Sequence, residues 1–404
     1  MSFPVLIIGA GLGGVCLAQN LQKNNIPFKV FEQDQKHNLR TQGYRLRLTE
    51  HGVDALKSSL TPELFSLYEQ TCANEPTFGV RINPDGSPAT TGGPPGPPPH
   101  ARSGKAYTID RATFREALFT GLEDHVFFGK SFDHYEMYDD KVVAFFADGS
   151  SEEGSLLVGA DGVRSGVRTQ YYPDFPGIDT DMRLIYGKTP ITPEFLAAVP
   201  EEYHHGMSLV MNGGDPSQPT LLFEAIYFPH AGEVSTLQLP HPYVYWVLVT
   251  HYSNIPFPDE KSWRLRPEEA ADLSRQLTNS WSPSLQHIFA MQDESQTSIR
   301  SILSARPDIL PWESSRRVTL LGDAVHVMPP TGAMGANTAL RDAADLARRI
   351  VAAGGADKLD KQVIQDYEAD MREFAKVAIE LSWRGGMNSF GLRPIQECTQ
   401  ITFR

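Results

Sequence analysis

The chain has 404 residues, of which 41% are hydrophobic and 21% charged, and its formal net charge is −13. This length predicts about two globular domains, and the acidic balance argues against binding of nucleic acid or of an anionic membrane surface through bulk electrostatics. The three cysteines, Cys16, Cys72 and Cys398, are scattered without a CxxC spacing, which predicts no disulfide framework and a cytoplasmic setting.

The N-terminal stretch predicts a strand, a glycine-rich turn and a helix. Val5 to Ile8 is entirely apolar, as in a strand buried on both faces, and the helical pattern continues to about Leu21. FKVFE, Phe28 to Glu32, predicts a second strand and hence the start of a parallel sheet. Because the N-terminus lacks a basic flank and no apolar run reaches membrane-spanning length, we expect neither a secretory signal nor a membrane span.

The middle of the chain changes character twice. The proline-rich run GGPPGPPPH, Gly92 to His100, predicts a surface loop or, alternatively, a polyproline ligand for a partner domain. Ile109 to Leu122 resumes helical periodicity, and KVVAFFADGS and GSLLVGADG predict two strands joined by a turn. From about residue 171 to residue 295, the aromatic strands TLLFEAIYFP and YVYWVLVTHY predict an antiparallel sheet.

The last part of the chain returns to the buried-strand pattern with RVTLLGDAVHV, and a final helix is predicted from about Lys361 to Leu381. The predicted fold class is therefore α/β, with a Rossmann-like domain into which an antiparallel β-sheet is inserted. We predict a discontinuous nucleotide-binding domain with its C-terminal helix and a second, sheet-based domain. The first comprises residues 1–73, 103–175 and 296–404, and the second comprises residues 74–102 and 176–295.

The run GAGLGG places Gly9, Gly11 and Gly14 in the GxGxxG pattern, between a predicted strand and a predicted helix. The first glycine allows a tight turn, the second lets the backbone approach a pyrophosphate, and the third lets helix and strand pack closely. Glu32 ends the next strand, where an acidic group accepts ribose hydroxyl hydrogen bonds and disfavours a 2′-phosphate. The pattern predicts FAD or NAD rather than NADP at this site; a glycine-rich turn without a ligand is the alternative.

Two later segments combine glycine with charge or proline. VGADGVRSGVR places Asp161 and Gly162 after a strand, but alone it is typical of a β-to-α turn with solvated arginines, Arg164 and Arg168. LLGDAVHVMPPTGAMGANTALRDAADLA has a strand end, two prolines that fix φ, and two glycines that leave room for a planar ring. N–H groups at the start of its helix can stabilise negative charge on a ring carbonyl. A proline-stopped strand before an N-capped helix, the alternative, does not explain the cluster of small residues.

In the order GxGxxG, DG and GD, the three motifs span nearly the whole chain and resemble those of the class A flavoprotein monooxygenases, the para-hydroxybenzoate hydroxylase type. The resemblance implies an FAD-binding domain with an inserted substrate-binding sheet, FAD as cofactor, and NAD(P)H and O2 as co-substrates. It also implies FAD contacts along the three motifs, in DRATFREAL and in a strand beside the flavin. These residues are Gly9, Gly11, Leu12, Gly13, Gly14, Glu32, Arg45, Arg111, Asp161, Asp323, Pro330, Gly332, Gly335, Ala336 and Asn337.

The resemblance further implies that a flavin C4a-hydroperoxide transfers one oxygen atom to a small aromatic or polycyclic substrate, as in a tailoring step of secondary metabolism. An epoxidase, a Baeyer–Villiger oxygenase and a non-oxygenating flavin reductase or isomerase remain alternatives. The intact glycine motifs and the loop from Gly322 to Asn337, called the GD loop below, disfavour a simple dehydrogenase and a non-enzymatic binding protein. We expect no metal site, no nucleophile motif, and a monomer or homodimer.

Substrate contacts are expected from the inserted sheet. The pocket candidates are Arg47, Arg183, Phe223, Glu224, Tyr227 and Trp246. The aromatic residues among them are alternatively core residues of their strands. Arg45 and Arg47 lie two apart, on one face of an extended strand, and Arg47 alternatively pairs with a surface carboxylate. His326 is expected to pack or cap near the GD motif rather than act as a base.

Overall fold

A computed structural model describes residues 3–35, 45–75, 77–89, 106–211, 215, 217–232, 234, 237–259 and 264–403 of the chain. The proline-rich run from Gly92 to His100, and with it the choice between surface loop and polyproline ligand, lies outside the described residues. In the described part of the chain, no helix combines the length and the apolar character that crossing a membrane requires.

Strands and helices alternate at both ends of the chain, and strands dominate its middle. The strands are β1 (Val5–Ile8), β2 (Phe28–Glu32), β3 (Arg45–Leu48), β4 (Phe78–Ile82), β5 (Tyr107–Asp110), β6 (Val126–Phe128), β7 (Phe132–Met137), β8 (Val142–Phe146), β9 (Ser151–Gly154), β10 (Leu156–Gly159), β11 (Pro176–Pro190), β12 (Met207–Val210), β13 (Thr220–Ile226), β14 (Tyr243–His251), β15 (Ser298–Ala305), β16 (Val318–Leu320) and β17 (Thr399–Thr402). The α-helices are α1 (Leu12–Lys23), α2 (Glu50–Ser59), α3 (Pro62–Gln70), α4 (Arg111–Phe119), α5 (Gly166–Tyr171), α6 (Pro193–Ala198), α7 (Pro267–Leu277), α8 (Pro283–Ala290), α9 (Asp323–His326), α10 (Met334–Ala353) and α11 (Lys361–Phe390).

The first sheet is parallel, with the strand order β16, β10, β1, β2 and β6. All four residues of β1 are buried, which explains why its sequence is continuously apolar. Because β10 lies between β1 and β16, the carboxyl ends of these three strands are neighbours. The GxGxxG, DG and GD motifs follow those three ends, so the fold brings them to one edge of the sheet. The prediction of a parallel sheet is confirmed.

Helix α11 is longer than predicted: it continues past Leu381 to Phe390. The glycine pair Gly385–Gly386 suggests a helix end in the sequence, yet it lies within the helix. A Cβ atom on Gly385 would lie 3.0 Å from the Thr331 hydroxyl, and one on Gly386 would lie 2.3 Å from a methyl carbon of Leu392. The pair therefore allows the helix to pack closely against the GD loop and against the chain that follows it.

The second sheet has the order β15, β11, β14, β13, β12 and β4, and β17 pairs with β11. Its pairs are antiparallel, as predicted, except for the parallel pair of β12 and β4. Strands β15 and β17 belong to this sheet although their residues fall within the range 296–404 that we assigned to the nucleotide-binding domain. The division of the chain into two domains at the stated bounds remains a prediction.

The two faces of the second sheet have different surroundings. One face buries Phe223 and Trp246 in a core with Leu285 and Phe289 of α8. The other face contains Glu224, whose side chain forms ion pairs with two arginines of β3. Since successive side chains of a strand point to opposite faces, Phe223 and Glu224 mark the two sides of the same sheet.

We predict that the change Trp246→Ala lowers the free energy of unfolding by about 3–5 kcal/mol, the range for removing a large buried aromatic ring. Trp246 is fully buried, its ring meets that of Phe289 edge-on at 5.0 Å, and its Nε1 donates to the Thr189 hydroxyl at 3.1 Å. Urea unfolding followed by circular dichroism measures the change. The control Leu310→Ala removes a 57%-exposed side chain and should have little effect. Equal losses of unfolding free energy in the two variants would contradict the placement of Trp246 in the core.

Candidate active site

The GxGxxG turn joins β1 to α1, and packing dictates three of its glycines. A Cβ atom would lie 2.4 Å from the Ala160 carbonyl O if placed on Gly9, 2.1 Å from the Gly9 carbonyl O if placed on Gly14, and 2.7 Å from a Leu321 methyl if placed on Gly13. Gly9 also has a positive φ of 103°. Gly11 is different, because the nearest atom to a Cβ there would be 3.9 Å away. The protein's own packing does not require a glycine at position 11.

Glu32 at the end of β2 holds this turn from the side. It is 8% exposed, and one carboxylate oxygen accepts the Ala10 N–H at 3.0 Å. The same oxygen lies 3.4 Å from Nη2 of Arg115, whose Nε donates to the Ala10 carbonyl at 2.8 Å. Sequence reasoning missed Arg115, although its position four residues after Arg111 puts both on one face of α4. Arg115 and Glu32 together fix the backbone of the turn.

Arg111 begins α4 and is linked electrostatically to the GD motif. Burial and the neighbouring Arg115 lower the pKa of Arg111, and the carboxylate of Asp323 opposes that change. Asp323 is exposed at the surface of its loop, and the positive charges of His326 and Arg111 favour its ionised form. The segment DRATFREAL and the GD motif, far apart in sequence, therefore face each other.

Asp110 precedes Arg111 at the end of β5 and connects α4 to the second sheet. One of its carboxylate oxygens caps α4 by accepting the Thr113 N–H at 3.0 Å. The other accepts from Lys188 Nζ on β11 and from the Tyr243 hydroxyl on β14, each at 2.8 Å. Asp110 is 2% exposed, so these partners offset the cost of burying its charge.

The DG motif is tied to the GD loop by a buried arginine. Asp161 accepts from the Ser165 hydroxyl and from the Val167 N–H, while burial raises the pKa of its carboxyl. We expected solvated arginines here, which is wrong for Arg168: it is fully buried and donates from Nη1 to the Ala324 carbonyl at 3.0 Å. Arg164 is exposed, as expected. Arg168 thus joins the helix after the DG motif to the helix that begins at Asp323.

The GD loop turns through left-handed backbone conformations at Gly322, Gly332 and Ala333. Helix α10 begins directly after Ala333. Pro330 is exposed, and Gly332, Gly335 and Ala336 are partly exposed. A Cβ atom on Gly335 would meet nothing closer than 3.9 Å. As at Gly11, protein packing does not explain the missing side chain at Gly335.

Asn337 joins the start of α10 to β3. Its side chain is 1% exposed; the amide oxygen accepts the Thr49 N–H at 2.9 Å, and the amide nitrogen donates to the Arg47 carbonyl at 3.0 Å. A Cβ atom on Gly52 would lie 2.2 Å from that amide oxygen, so a larger residue at position 52 would displace Asn337. We predicted a backbone role for Asn337, and the structure adds this side-chain link to the strand that contains Arg45 and Arg47.

Arg45 and Arg47 extend from β3 to the same carboxylate. Arg45 donates to one oxygen of Glu224, and Nη2 of Arg47 lies 2.7 Å from the other. Glu224 is 3% exposed and Arg47 is 8% exposed. The expectation that both arginines share one face is confirmed, whereas the alternative of a surface partner for Arg47 is wrong. Burial and the charge of Arg45 lower the pKa of Arg47 to about 10, against the opposing effect of Glu224.

The remaining pocket candidates do not join this cluster. Phe223 and Trp246 pack on the opposite face of the sheet. Arg183 pairs with Asp259 at 2.6 Å and with Asp179 at 2.9 Å, which satisfies its charge away from Glu224. The Tyr227 hydroxyl donates to the His204 carbonyl at 3.2 Å. Of the six pocket candidates, the structure brings together Arg47 and Glu224. The strand patterns did not reveal which face of the sheet each candidate side chain occupies.

His326 packs below the GD motif, as predicted. Its Nε2 lies 2.5 Å from an Asp342 carboxylate oxygen, which also accepts the Gly322 N–H at 3.1 Å, and both side chains are fully buried. Burial lowers the pKa of His326, but the charge and hydrogen bond of Asp342 outweigh this, so the pKa is raised overall. Among the described residues, no group of three or more His, Cys, Asp or Glu side chains is placed to hold a metal ion.

The raised pKa of His326 predicts a pH-dependent contribution to stability. A folded-state pKa above the unfolded value of 6.5 means that the His326–Asp342 interaction is fully present below pH 6.5. Its contribution is lost as the pH rises through the folded-state pKa. We expect the difference in the free energy of unfolding between wild type and His326→Gln to shrink between about pH 6 and about pH 9, as measured by urea unfolding. A difference that stays constant would show that His326 does not titrate as described.

Comparison with known proteins agrees with this geometry. The family described as FAD binding domain matches residues 117–382. The chain is 38% identical to the dual O-methyltransferase/FAD-dependent monooxygenase elcB of Phaeosphaeria nodorum, over 98% of this chain and 47% of the relative. It therefore spans about half the length of this relative, and the same holds for two dual enzymes from Cercospora. It is also 28% identical to the FAD-dependent monooxygenase thnD of Trichoderma harzianum, over 97% of this chain and 95% of that protein.

A solved structure shares the fold over nearly the whole chain. The crystal structure of a protein from Photorhabdus luminescens, described as an FAD-containing monooxygenase, has a TM-score of 0.78 and 29% identity, with 96% of this chain and 99% of that chain covered. The predicted fold class and FAD as cofactor are confirmed by these findings. The chain belongs to the FAD binding domain family, among the class A flavoprotein monooxygenases.

Proposed function

We propose that the protein is an FAD-dependent monooxygenase that uses NAD(P)H and O2 to hydroxylate a small aromatic or polycyclic substrate. One observation supports this most: three distant motifs meet at one edge of the parallel sheet, and two glycines there, Gly11 and Gly335, leave space that the protein itself does not fill. Such bare backbone is expected where a phosphate or a flat ring lies against it.

The first motif is suited to the ADP half of FAD. The open surface at Gly11 and the N-terminus of α1, which begins at Leu12, offer free N–H groups to a pyrophosphate. Glu32 lies beside the turn and can accept from the ribose hydroxyls while Arg115 holds it. Arg111, at the start of α4, interacts electrostatically with Asp323 of the GD loop.

The GD loop is suited to the flavin ring. Pro330 limits the movement of the loop, and Gly332 and Gly335 present backbone without side chains. The N-terminus of α10, a 20-residue helix, directs partial positive charge to where a ring carbonyl would lie. Ala336 and Asn337 belong to its first turn, and the Asn337 side chain keeps that turn against β3.

FAD, when bound, would supply the redox chemistry: reduction by NAD(P)H and transfer of one oxygen atom of O2 to the substrate, with the other atom released as water. The protein residues have to hold the ring, orient the substrate and exclude water. On the substrate side, Tyr186 and Tyr245 stack at 6.3 Å on the face of the second sheet that contains Glu224. Relatives that join a monooxygenase to an O-methyltransferase support a phenolic substrate and a role in secondary metabolism.

We also propose a cytoplasmic location and a monomer or homodimer as the working state. The three cysteines are buried free thiols, which supports a reducing compartment.

The purified protein should be yellow and should oxidise NAD(P)H faster in the presence of its substrate. A panel of phenolic, indolic and polyketide compounds should identify one that accelerates the reaction, and under ¹⁸O2 its product should gain one labelled oxygen atom by mass spectrometry. A yellow protein that consumes no O2 would instead indicate a reductase or isomerase. A colourless protein that cannot take up FAD would contradict the proposal.

The change Gly11→Ala should weaken FAD binding by about tenfold or more, because the methyl group occupies the space offered to the pyrophosphate. The apoprotein should keep its melting temperature, since nothing lies closer than 3.9 Å to the added atom. Fluorescence titration of the apoprotein with FAD measures the affinity. Gly232→Ala, also in open space, serves as the control. Unchanged FAD affinity in Gly11→Ala would show that the turn does not hold the cofactor.

A further inference from the structure

Strands β3 and β5 pair antiparallel as a separate two-stranded ribbon. Two ion pairs lie side by side where this β3–β5 ribbon meets the second sheet. On the ribbon, Arg45 and Asp110 are direct cross-strand partners. On the sheet, Glu224 and Lys188 flank Tyr245 in one cross-strand row. Arg45 binds Glu224, and Asp110 binds Lys188 at 2.8 Å. These four charges balance one another.

Arg47 is a fifth charge in this arrangement. Its Nη2 shares the carboxylate of Glu224, which Arg45 already neutralises. Its side chain is 7% exposed, and its Nε is buried without a hydrogen-bond partner among the described residues. Burial of a guanidinium that has an unused N–H donor and shares its carboxylate with another arginine costs free energy, unless a further anion accepts from that donor. The cluster of Arg45, Arg47, Glu224, Asp110 and Lys188 therefore has one positive charge in excess.

The position of Arg47 suits contact with a substrate. Its backbone carbonyl accepts from Asn337 at the start of α10, the helix proposed to face the flavin ring. Its side chain points to Glu224, on the face of the sheet with Tyr186 and Tyr245. The guanidinium thus lies between the proposed flavin site and an aromatic surface. In an acidic chain with a net charge of −13, this excess of positive charge is local.

We propose that Arg47 is a specificity-determining residue that binds an oxyanion of the substrate, a carboxylate or a phenolate attached to an aromatic ring, while Glu224 and Arg45 orient its guanidinium. This inference rests on the proposed function and narrows its substrate class to anionic aromatic compounds. A planar guanidinium has the donor geometry that a carboxylate or a phenolate accepts.

The test uses the FAD-loaded full chain and matched pairs of probes in isothermal titration calorimetry. Salicylate with salicylamide and 4-hydroxybenzoate with 4-hydroxybenzamide test for a carboxylate, and 4-nitrophenolate with 4-nitroanisole tests for a phenolate. We expect at least one anion to bind more tightly than its neutral partner. Arg47→Met should weaken the binding of that anion by about tenfold or more and leave the affinity for the neutral compound unchanged. Arg47→Lys, which keeps the charge, should retain part of the preference.

Two further measurements separate this role from others. Arg348→Met is the matched control, since it removes the same charge at a side chain that is 64% exposed on α10. FAD content and the flavin reduction potential of Arg47→Met should equal those of wild type. A shifted potential would place Arg47 on the flavin instead, and equal loss of both members of a probe pair would indicate a steric effect; each result overturns the proposal. If wild type binds FAD and oxidises NAD(P)H but prefers no anion, this inference fails while the proposed function stands, and a protein that takes up no FAD removes both.

Discussion

The close contact between the carboxyl ends of β1, β10 and β16 is the constraint on which the rest of the structure depends. A Cβ atom on Gly9 would lie 2.4 Å from the Ala160 carbonyl, and one on Gly159 would lie 2.6 Å from a Leu320 methyl. Packing this close leaves no room for a side chain at either glycine. The three motifs that follow these strand ends therefore form one continuous surface, although the chain reaches it in three separate passes.

Buried carboxylates connect this surface to the rest of the protein. Four of them pair with a basic group from a different segment, which offsets the several kcal/mol that an unpaired buried charge would cost. The pairs are Glu32 with Arg115, Asp110 with Lys188, Glu224 with Arg45 and Arg47, and Asp342 with His326. Since each carboxylate also accepts further hydrogen bonds or shares its oxygens, these pairs position the backbone more than they add stability.

The sequence predicted the parts of the site that follow from local requirements. A tight turn at Gly9 and close packing at Gly14 are such requirements, so the GxGxxG motif could be recognised without the fold. The pairing of Arg47 with Glu224 spans 177 residues and has no local signal. Alternation in β13 separates Phe223 from Glu224, but which of them faces the helices depends on where α7 and α8 pack. For this reason the sequence left open whether Trp246 and Phe223 line the pocket or the core, and the structure places both in the core with α8.

The alternation in β13 has a consequence for folding fidelity. A slip of one residue in its pairing would move Glu224 into the apolar core beneath α8 and bring Phe223 against the arginines of β3. The slipped sheet would bury an unpaired carboxylate and leave two guanidinium groups without their anion. Misregistered pairing of this strand therefore costs free energy on both faces of the sheet. The ion pairs that Glu224 forms with Arg45 and Arg47 thus also favour the correct register of β13.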